Sequence, residues 1–332
     1  MNPGPDSTAG RHYEAFGIVL ESDRELVLPK ASSSGRADLR IHWRDAISEA
    51  GEGELPAVPA VYRSPYETAA GESTLTLSGT PGDLYFRFPG LAHFRLRSTR
   101  VDCTLLDADR FDEAELRLLS QVLAVYLELR GVTMLHAAGV RIGDAAALFL
   151  ASPHGGKSTL AAEFARAGHP VIGDDLVALR RATGGWSAAP GLPVLKLWPD
   201  SARRTGAGET LPTLFPGTEK RRQALAKPGS FVEDATTVRA LYLPQRSPDI
   251  GRPTVEPIPI SETLQLLLRH SFAGQAAQAL GLAEERLERL GDLAEAVPAR
   301  RLSFGDGWLG LPDARAAVER DLPRTTRGTP HG

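Results

Sequence analysis

The sequence predicts a two-part chain: a β-rich N-terminal region, then an α/β unit. Three features carry that expectation. Short alternating runs divided by turns fill residues 12–110. A helical stretch follows at Phe111–Arg130. Beyond it, two apolar runs lead into a Gly-Gly turn and a second helical stretch. A length of 332 residues suits about two domains. The expected division is 1–11 disordered, 12–110 β-rich, 111–323 α/β, and 324–332 a flexible tail. Both ends are rich in Pro, Gly, Ser or Thr.

In the N-terminal part, Leu84, Phe86 and Phe88 share one face of an extended run, with Tyr85 and Arg87 on the other. Phe94–Arg97 and Asp38–Trp43 alternate in the same way, as half-buried strands do. Pro81-Gly82-Asp83 and Pro89-Gly90 read as turns. In Phe111–Arg130 the apolar residues Leu116, Leu119, Val122, Leu123, Tyr126 and Leu127 recur at helical spacing. Asp112, Glu113 and Glu115 suit the positive end of that helix, and Gly131 is its stop.

Val132–Ile142 and Ala145–Leu150, divided by Gly143-Asp144, read as a hairpin. A helix is expected from Lys157 to Ala167 and a short strand at His169–Gly173. Beyond residue 180 the expectation is an irregular chain. Strand material lies at Val238–Leu243, with helices near Ser261–His270 and Leu282–Leu290.

Composition excludes several classes. Hydrophobic residues at 42% and charged residues at 24% match a globular chain, not a disordered one. A formal net charge of −3 offers no basic field, so nucleic acid is not an expected partner. Cys103 is the single cysteine and cannot form an internal disulfide, which suits a reducing compartment. No basic-then-apolar leader opens the chain, and no apolar run approaches the ~20 residues of a membrane span. The expectation is a cytoplasmic protein without membrane contact. The oligomeric state stays open.

The residues Ala151–Ser158 read ASPHGGKS. The phosphate-loop (Walker A) pattern is G-x-x-x-x-G-K-[ST]. Gly156, Lys157 and Ser158 match it, and Ala151 replaces the first glycine. Gly155 and Gly156 can turn successive N–H groups toward an anion. The helix that follows presents further N–H groups and a positive dipole end. Lys157 supplies a charge for the β- and γ-phosphates, and Ser158 a hydroxyl for Mg²⁺. Ser152, Pro153, His154, Gly155, Gly156, Lys157, Ser158 and Thr159 are the expected nucleotide-binding residues, with ATP and Mg²⁺ as cofactors. Ala151 is expected at negative φ, with Gly155 or Gly156 carrying the unusual angle, because a Cβ at positive φ costs about 1 kcal/mol or more.

Asp174-Asp175 ends the strand after the loop helix. A carboxylate at a neighbouring strand end can hold Mg²⁺ or its waters. A second can accept the proton of a hydroxyl nucleophile; a plain turn would also use these residues. His136 reads either as a structural residue or as a neighbour of the γ-phosphate. His154 either touches phosphate or faces solvent. Lys220-Arg221-Arg222 is either a solvated face or a clamp over a nucleotide.

Leu135-His136-Ala137, Gly155–Ala161, Gly168-His169 and Gly173-Asp174-Asp175 together resemble the nucleotide site of HPr kinase/phosphorylase. The match runs from about Leu135 to Ala178. Tyr13–Gly17 (YEAFG) and Leu197–Asp200 (LWPD) further resemble the HPr-kinase-like serine kinases found with lasso-peptide maturation genes. The resemblance implies a P-loop kinase domain related to phosphoenolpyruvate carboxykinase, behind a β-rich N-terminal domain. It implies transfer from ATP to a serine of a peptide or protein, including a ribosomally made precursor peptide. Carried over by position, Lys157 and Ser158 bind phosphate and Mg²⁺, Asp174 is the base, Asp175 a metal ligand, and His136 a phosphate neighbour. The family's Arg-Gly-Leu-Gly stretch is not apparent; Gly191–Lys196 stands there, so phosphorolysis and HPr itself are not implied. The alternatives are a non-catalytic ATP-binding regulatory module and a small-molecule kinase.

Overall fold

The computed structural model describes residues 10–31, 35–46, 58–152, 155–206, 209–211 and 219–322. The chain divides into two compact units. One runs to Arg130 and takes in Ala273–Ala283; the other holds Gly131–Phe272 and the chain from Glu284 on. The expected boundary at residue 110 therefore moves: the helical stretch after it belongs with the first unit. The ends expected to be loose lie outside the described residues apart from Gly10 and Arg11, and Arg11 is in a strand.

In the first unit, β1 (Arg11–Ala15), β2 (Ile18–Ser22), β3 (Leu39–Asp45), β4 (Ala60–Arg63), β5 (Thr76–Thr80), β6 (Asp83–Phe88), β7 (Ala92–Arg97) and β8 (Arg100–Leu105) form one sheet. Its order is β1-β2-β3-β8-β7-β6-β5-β4. The alternation read from sequence holds: Leu39, Ile41, Phe86, Phe94 and Leu96 are all buried. The expected single helix is divided into α1 (Phe111–Arg117), a π-helical turn at Leu118–Val122, and α2 (Leu123–Glu128). Gly131, at φ +75°, follows it.

The second unit continues with β9 (Thr133–Leu135), β10 (Ala137–Ile142), β11 (Ala145–Leu150), α3 (Lys157–Arg166), β12 (Val171–Gly173), β13 (Val177–Ala182), β14 (Gly185–Ala189), β15 (Val194–Leu197), α4 (Pro199–Thr205), β16 (Glu209–Leu211), β17 (Arg221–Ala224), β18 (Thr236–Ser247), β19 (Thr254–Ile258), α5 (Ile260–Arg269), α6 (Gly274–Ala279, in the first unit), α7 (Ala283–Ala296), β20 (Ala299–Gly305) and α8 (Gly310–Asp321). The main sheet has the order β12-β10-β11-β18-β14-β13-β9, with β20 between β18 and β19. It is mixed: β10 and β11 pair antiparallel, while β11–β18 and β18–β20 are parallel. The expected hairpin starts only at Ala137, because β9 pairs with β13 instead. His136 occupies the break.

The run Ala145–Leu150 lacks polar residues because the sheet is covered on both faces. Ala145, Ala147 and Phe149 pack in one cluster with residues of α3 and α8. Ala146, Leu148 and Leu150 pack in the other with residues of α5 and α7. This unit is α/β, with mixed sheet between helices. The chain beyond residue 180 is more regular than expected. A hairpin joins β13 to β14 through Thr183 and Gly184, with Gly184 and the first strand residue Gly185 both at positive φ. A small sheet, β15-β17-β16, follows.

Phe149 is fully buried, 5.5 Å from the Phe164 ring of α3 and 5.9 Å from that of Tyr242. Truncation to Ala removes contacts with α3 and with the neighbouring strand β18 on one face of the strand that leads into the loop. Phe149→Ala is expected to lose about 3–5 kcal/mol of stability in urea titration.

Candidate functional site

β11 runs into the loop at Ala151, and α3 leaves it at Lys157. Gly156 caps α3 at φ +84°, whereas Ala151 is not among the residues of positive φ. A Cβ on Gly155 would stand 2.6 Å from the Ala151 Cβ, so glycine is needed there to pass the residue that replaces the first loop glycine. The Gly155 N–H donates to the Ser152 carbonyl at 2.9 Å, closing the turn. Pro153 and His154 lie outside the described residues.

Lys157 is 7% exposed. Its ammonium donates to the Ala151 carbonyl at 2.9 Å and to His136 Nε2 at 3.1 Å. Burial pushes its pKa down; Asp174 and Asp175 oppose this, and Lys220 adds to it. Since His136 Nε2 accepts from Lys157, the ring proton sits on Nδ1. That nitrogen donates to the Asp175 carbonyl at 3.0 Å and lies 3.1 Å from the Asp175 carboxylate.

The two acids occupy different environments. Asp174 is 4% exposed. It accepts from the Ser158 hydroxyl at 2.9 Å on one oxygen and from the Lys196 N–H at 2.8 Å on the other. Burial raises its pKa and the Asp175 charge adds to that; the two hydrogen bonds oppose it. Asp175 lines the cleft, and its other oxygen accepts from the Lys196 ammonium at 2.7 Å. Burial alone would raise its pKa, but the Lys196 charge and His136 outweigh burial and hold it well below the usual range. Asp174, which the resemblance implies as the base, lies behind Ser158, and Asp175, implied as the metal ligand, lies in the cleft instead.

These residues border a cleft of about 330 Å³. The sequence reading brought His136, Gly155, Gly156, Lys157, Ser158, Thr159 and Asp175 to it, and Lys220 as one alternative. It missed Lys196, Trp198, Ser201 and Arg246. Arg246 reaches the loop from β18: a Cβ on Gly156 would stand 3.4 Å from its Nε. Lys220 Nζ lies 5.7 Å from the centre of the Trp198 ring, and the Thr159 and Ser201 hydroxyls are 3.2 Å apart. Among the described residues, four cationic side chains thus face the cleft against one carboxylate, the balance a polyphosphate requires.

Mg²⁺ takes oxygen ligands and is usually held by one or two carboxylates together with substrate phosphates and waters. The Ser158 hydroxyl and Asp174 carboxylate fit that requirement. Among the described residues no group of three or more His, Cys, Asp or Glu could hold a metal. Among the same residues no helix is long and apolar enough to cross a membrane.

No family model and no curated protein matches the chain. Among solved structures it is similar to the Hpr(Ser) kinase/phosphatase from Coxiella burnetii, at 13% identity over 56% of this chain and 94% of that one, with a TM-score of 0.30. That overlap is too loose to decide function, which rests on the residues of the cleft.

His270, at the end of α5, lies behind the site and was not foreseen. It is 4% exposed, and its carbonyl accepts the His136 N–H at 2.7 Å. Burial, then the Lys157 charge, lower its pKa to about 4. The folded protein therefore resists protonating it, while the unfolded chain protonates it near 6.5. Stability should fall as pH drops from about 6.5 to about 4 and level off below, by on the order of 3 kcal/mol from this group. Urea titrations of wild type and His270→Gln across that range check this: the variant should show the shallower decline.

Proposed function

We propose that the chain is a Mg²⁺-dependent phosphotransferase that moves the γ-phosphoryl group of ATP to a hydroxyl. The observation that carries this is the continuous set of contacts Lys157–His136–Asp175–Lys196–Asp174–Ser158 around a basic cleft at a strand–loop–helix turn. A serine of a peptide or protein as acceptor, and a lasso-type precursor peptide in particular, is supported by the sequence resemblance alone.

The loop N–H groups and the start of α3 bind the phosphates. Lys157 neutralises charge on the β- and γ-phosphate oxygens, and Lys196 and Arg246 add charge where it spreads in transfer. Ser158 and Asp174 would hold Mg²⁺, which would supply positive charge against the phosphate oxygens. Asp175 lies in the cleft and orients the acceptor hydroxyl. The acceptor Oγ–P bond forms, the bond from Pγ to the ADP oxygen breaks, and the hydroxyl proton passes to Asp175. His136 holds Asp175 and borders the γ-phosphate. This exchanges the two acid roles implied by the resemblance, because a group that takes a proton must reach the acceptor. The regulatory-module reading requires the same nucleotide contacts without transfer.

Purified protein, γ-labelled ATP and serine-bearing peptides test the proposal, with mass spectrometry of the products. Label should enter a peptide, and chelation of Mg²⁺ should stop it. Asp175→Asn should retain ATP binding and lose about 10²–10⁴-fold in turnover. Lys157→Met should weaken both ATP binding and turnover. ATP binding without transfer to any peptide or small molecule sinks the kinase reading and favours the regulatory module. Loss of transfer in Asp174→Asn, with Asp175→Asn active, returns the proton to Asp174.

A further inference from the structure

The cleft is polar and cationic except at one place. Among the described residues that line it, only Leu197 and Trp198 present apolar side chains, and Leu197 is itself buried at 1% exposure. Phosphate groups have no use for an indole. The contacts across the cleft fix where that ring lies. At the level of Ser158, Asp174 ties α3 to the Lys196 backbone. At the level of Thr159, α3 meets Ser201 of α4. Trp198 stands between Lys196 and Ser201 in the chain, on the segment that forms this wall of the cleft. Lys157 and Ser158 mark the β/γ end of a bound triphosphate. The chain from Lys196, which holds Asp175 beside the reacting phosphate, to Ser201 therefore forms one wall of the cleft, with Trp198 on it.

We propose that Trp198 is the platform for the nucleobase, with the indole stacked on a purine ring and Lys220 beside it. The inference rests on the phosphotransferase reading and adds to it a subsite for the base. Aromatic rings hold bases by stacking without reading their hydrogen-bonding edges, and larger rings stack over more area. The subsite thus favours purine over pyrimidine triphosphates.

The test separates the base from the phosphates by calorimetry with Mg²⁺, using ATP, CTP and inorganic tripolyphosphate as probes. Wild type should bind ATP more tightly than CTP or tripolyphosphate. Trp198→Leu should weaken ATP roughly 5- to 150-fold, the range expected for one stacked base, and leave tripolyphosphate within about twofold. Trp198→Phe keeps a ring and should retain most of the ATP affinity. A second measurement does not depend on the leucine variant folding. ATP, but not tripolyphosphate, should quench tryptophan fluorescence, and Trp198→Phe should lose that quench while Trp43, Trp186 and Trp308 remain. Unchanged ATP affinity in Trp198→Leu, equal losses for ATP and tripolyphosphate, or a quench that survives in Trp198→Phe overturns the proposal. Failure of the phosphate reading looks different: tripolyphosphate then binds Lys157→Met as well as wild type.

Discussion

The buried carboxylate of Asp174 is the contact on which the site depends. Its two oxygens accept from Ser158 on α3 and from the Lys196 backbone on β15. One side chain therefore registers the loop helix, the end of β12 and the small sheet against one another. A carboxylate at 4% exposure tolerates loss of neither donor, since an unpaired buried acceptor is expensive. The strand β15, which looks irregular in sequence, is held in place by it. Its side chains Lys196 and Leu197, with Trp198 next in the chain, then become one wall of the cleft.

Lys157 depends on the same frame. Its two acceptors, the Ala151 carbonyl and His136 Nε2, are neutral. They satisfy the ammonium without cancelling its charge, which remains for an anion in the cleft. His136 accepts from Lys157 only as the Nδ1–H tautomer, and Asp175 holds that proton in place. Behind it, the His270 carbonyl takes the His136 N–H. The lysine is thus held, directly or through His136, by groups from four separate stretches of chain.

The legible part of this arrangement is the part set by local chemistry. Gly155, Gly156, Lys157 and Ser158 are readable because an anion nest at a helix start requires those types in that order. Asp174-Asp175 is readable from the strand before it. The unbroken apolar run of β11 is readable as a strand, though not its burial by two layers of helices. Lys196, Trp198 and Arg246 carry no such pattern; they reach the cleft through pairing of β15 with β17 and of β11 with β18. The β13–β14 hairpin did leave a signal, Thr183-Gly184-Gly185 between two short strands. His270 left none, since only tertiary packing sets it behind His136. The helix boundary at 110 misled because period and caps describe a helix and not the unit it packs into.

Asp175 shows how the frame holds a residue where it would not stay alone. Its φ is +74°, and among the described residues only one other non-glycine, Phe16 at +56°, has a positive φ. That backbone state costs an L-residue on the order of 1–2 kcal/mol, and such strain persists where the surroundings over-determine it. Here they do. In this conformation the Asp175 carbonyl meets His136 Nδ1 while its carboxylate reaches both His136 and Lys196. The preceding residue, with φ in the ordinary range, turns its carboxylate the opposite way, behind Ser158. In a regular strand, two adjacent side chains would point to opposite faces. The left-handed turn at Asp175 instead keeps both acids beside one loop, one buried and one in the cleft. Two identical side chains thereby acquire pKa values displaced in opposite directions, Asp174 upward by burial and Asp175 downward because the Lys196 charge and His136 outweigh burial.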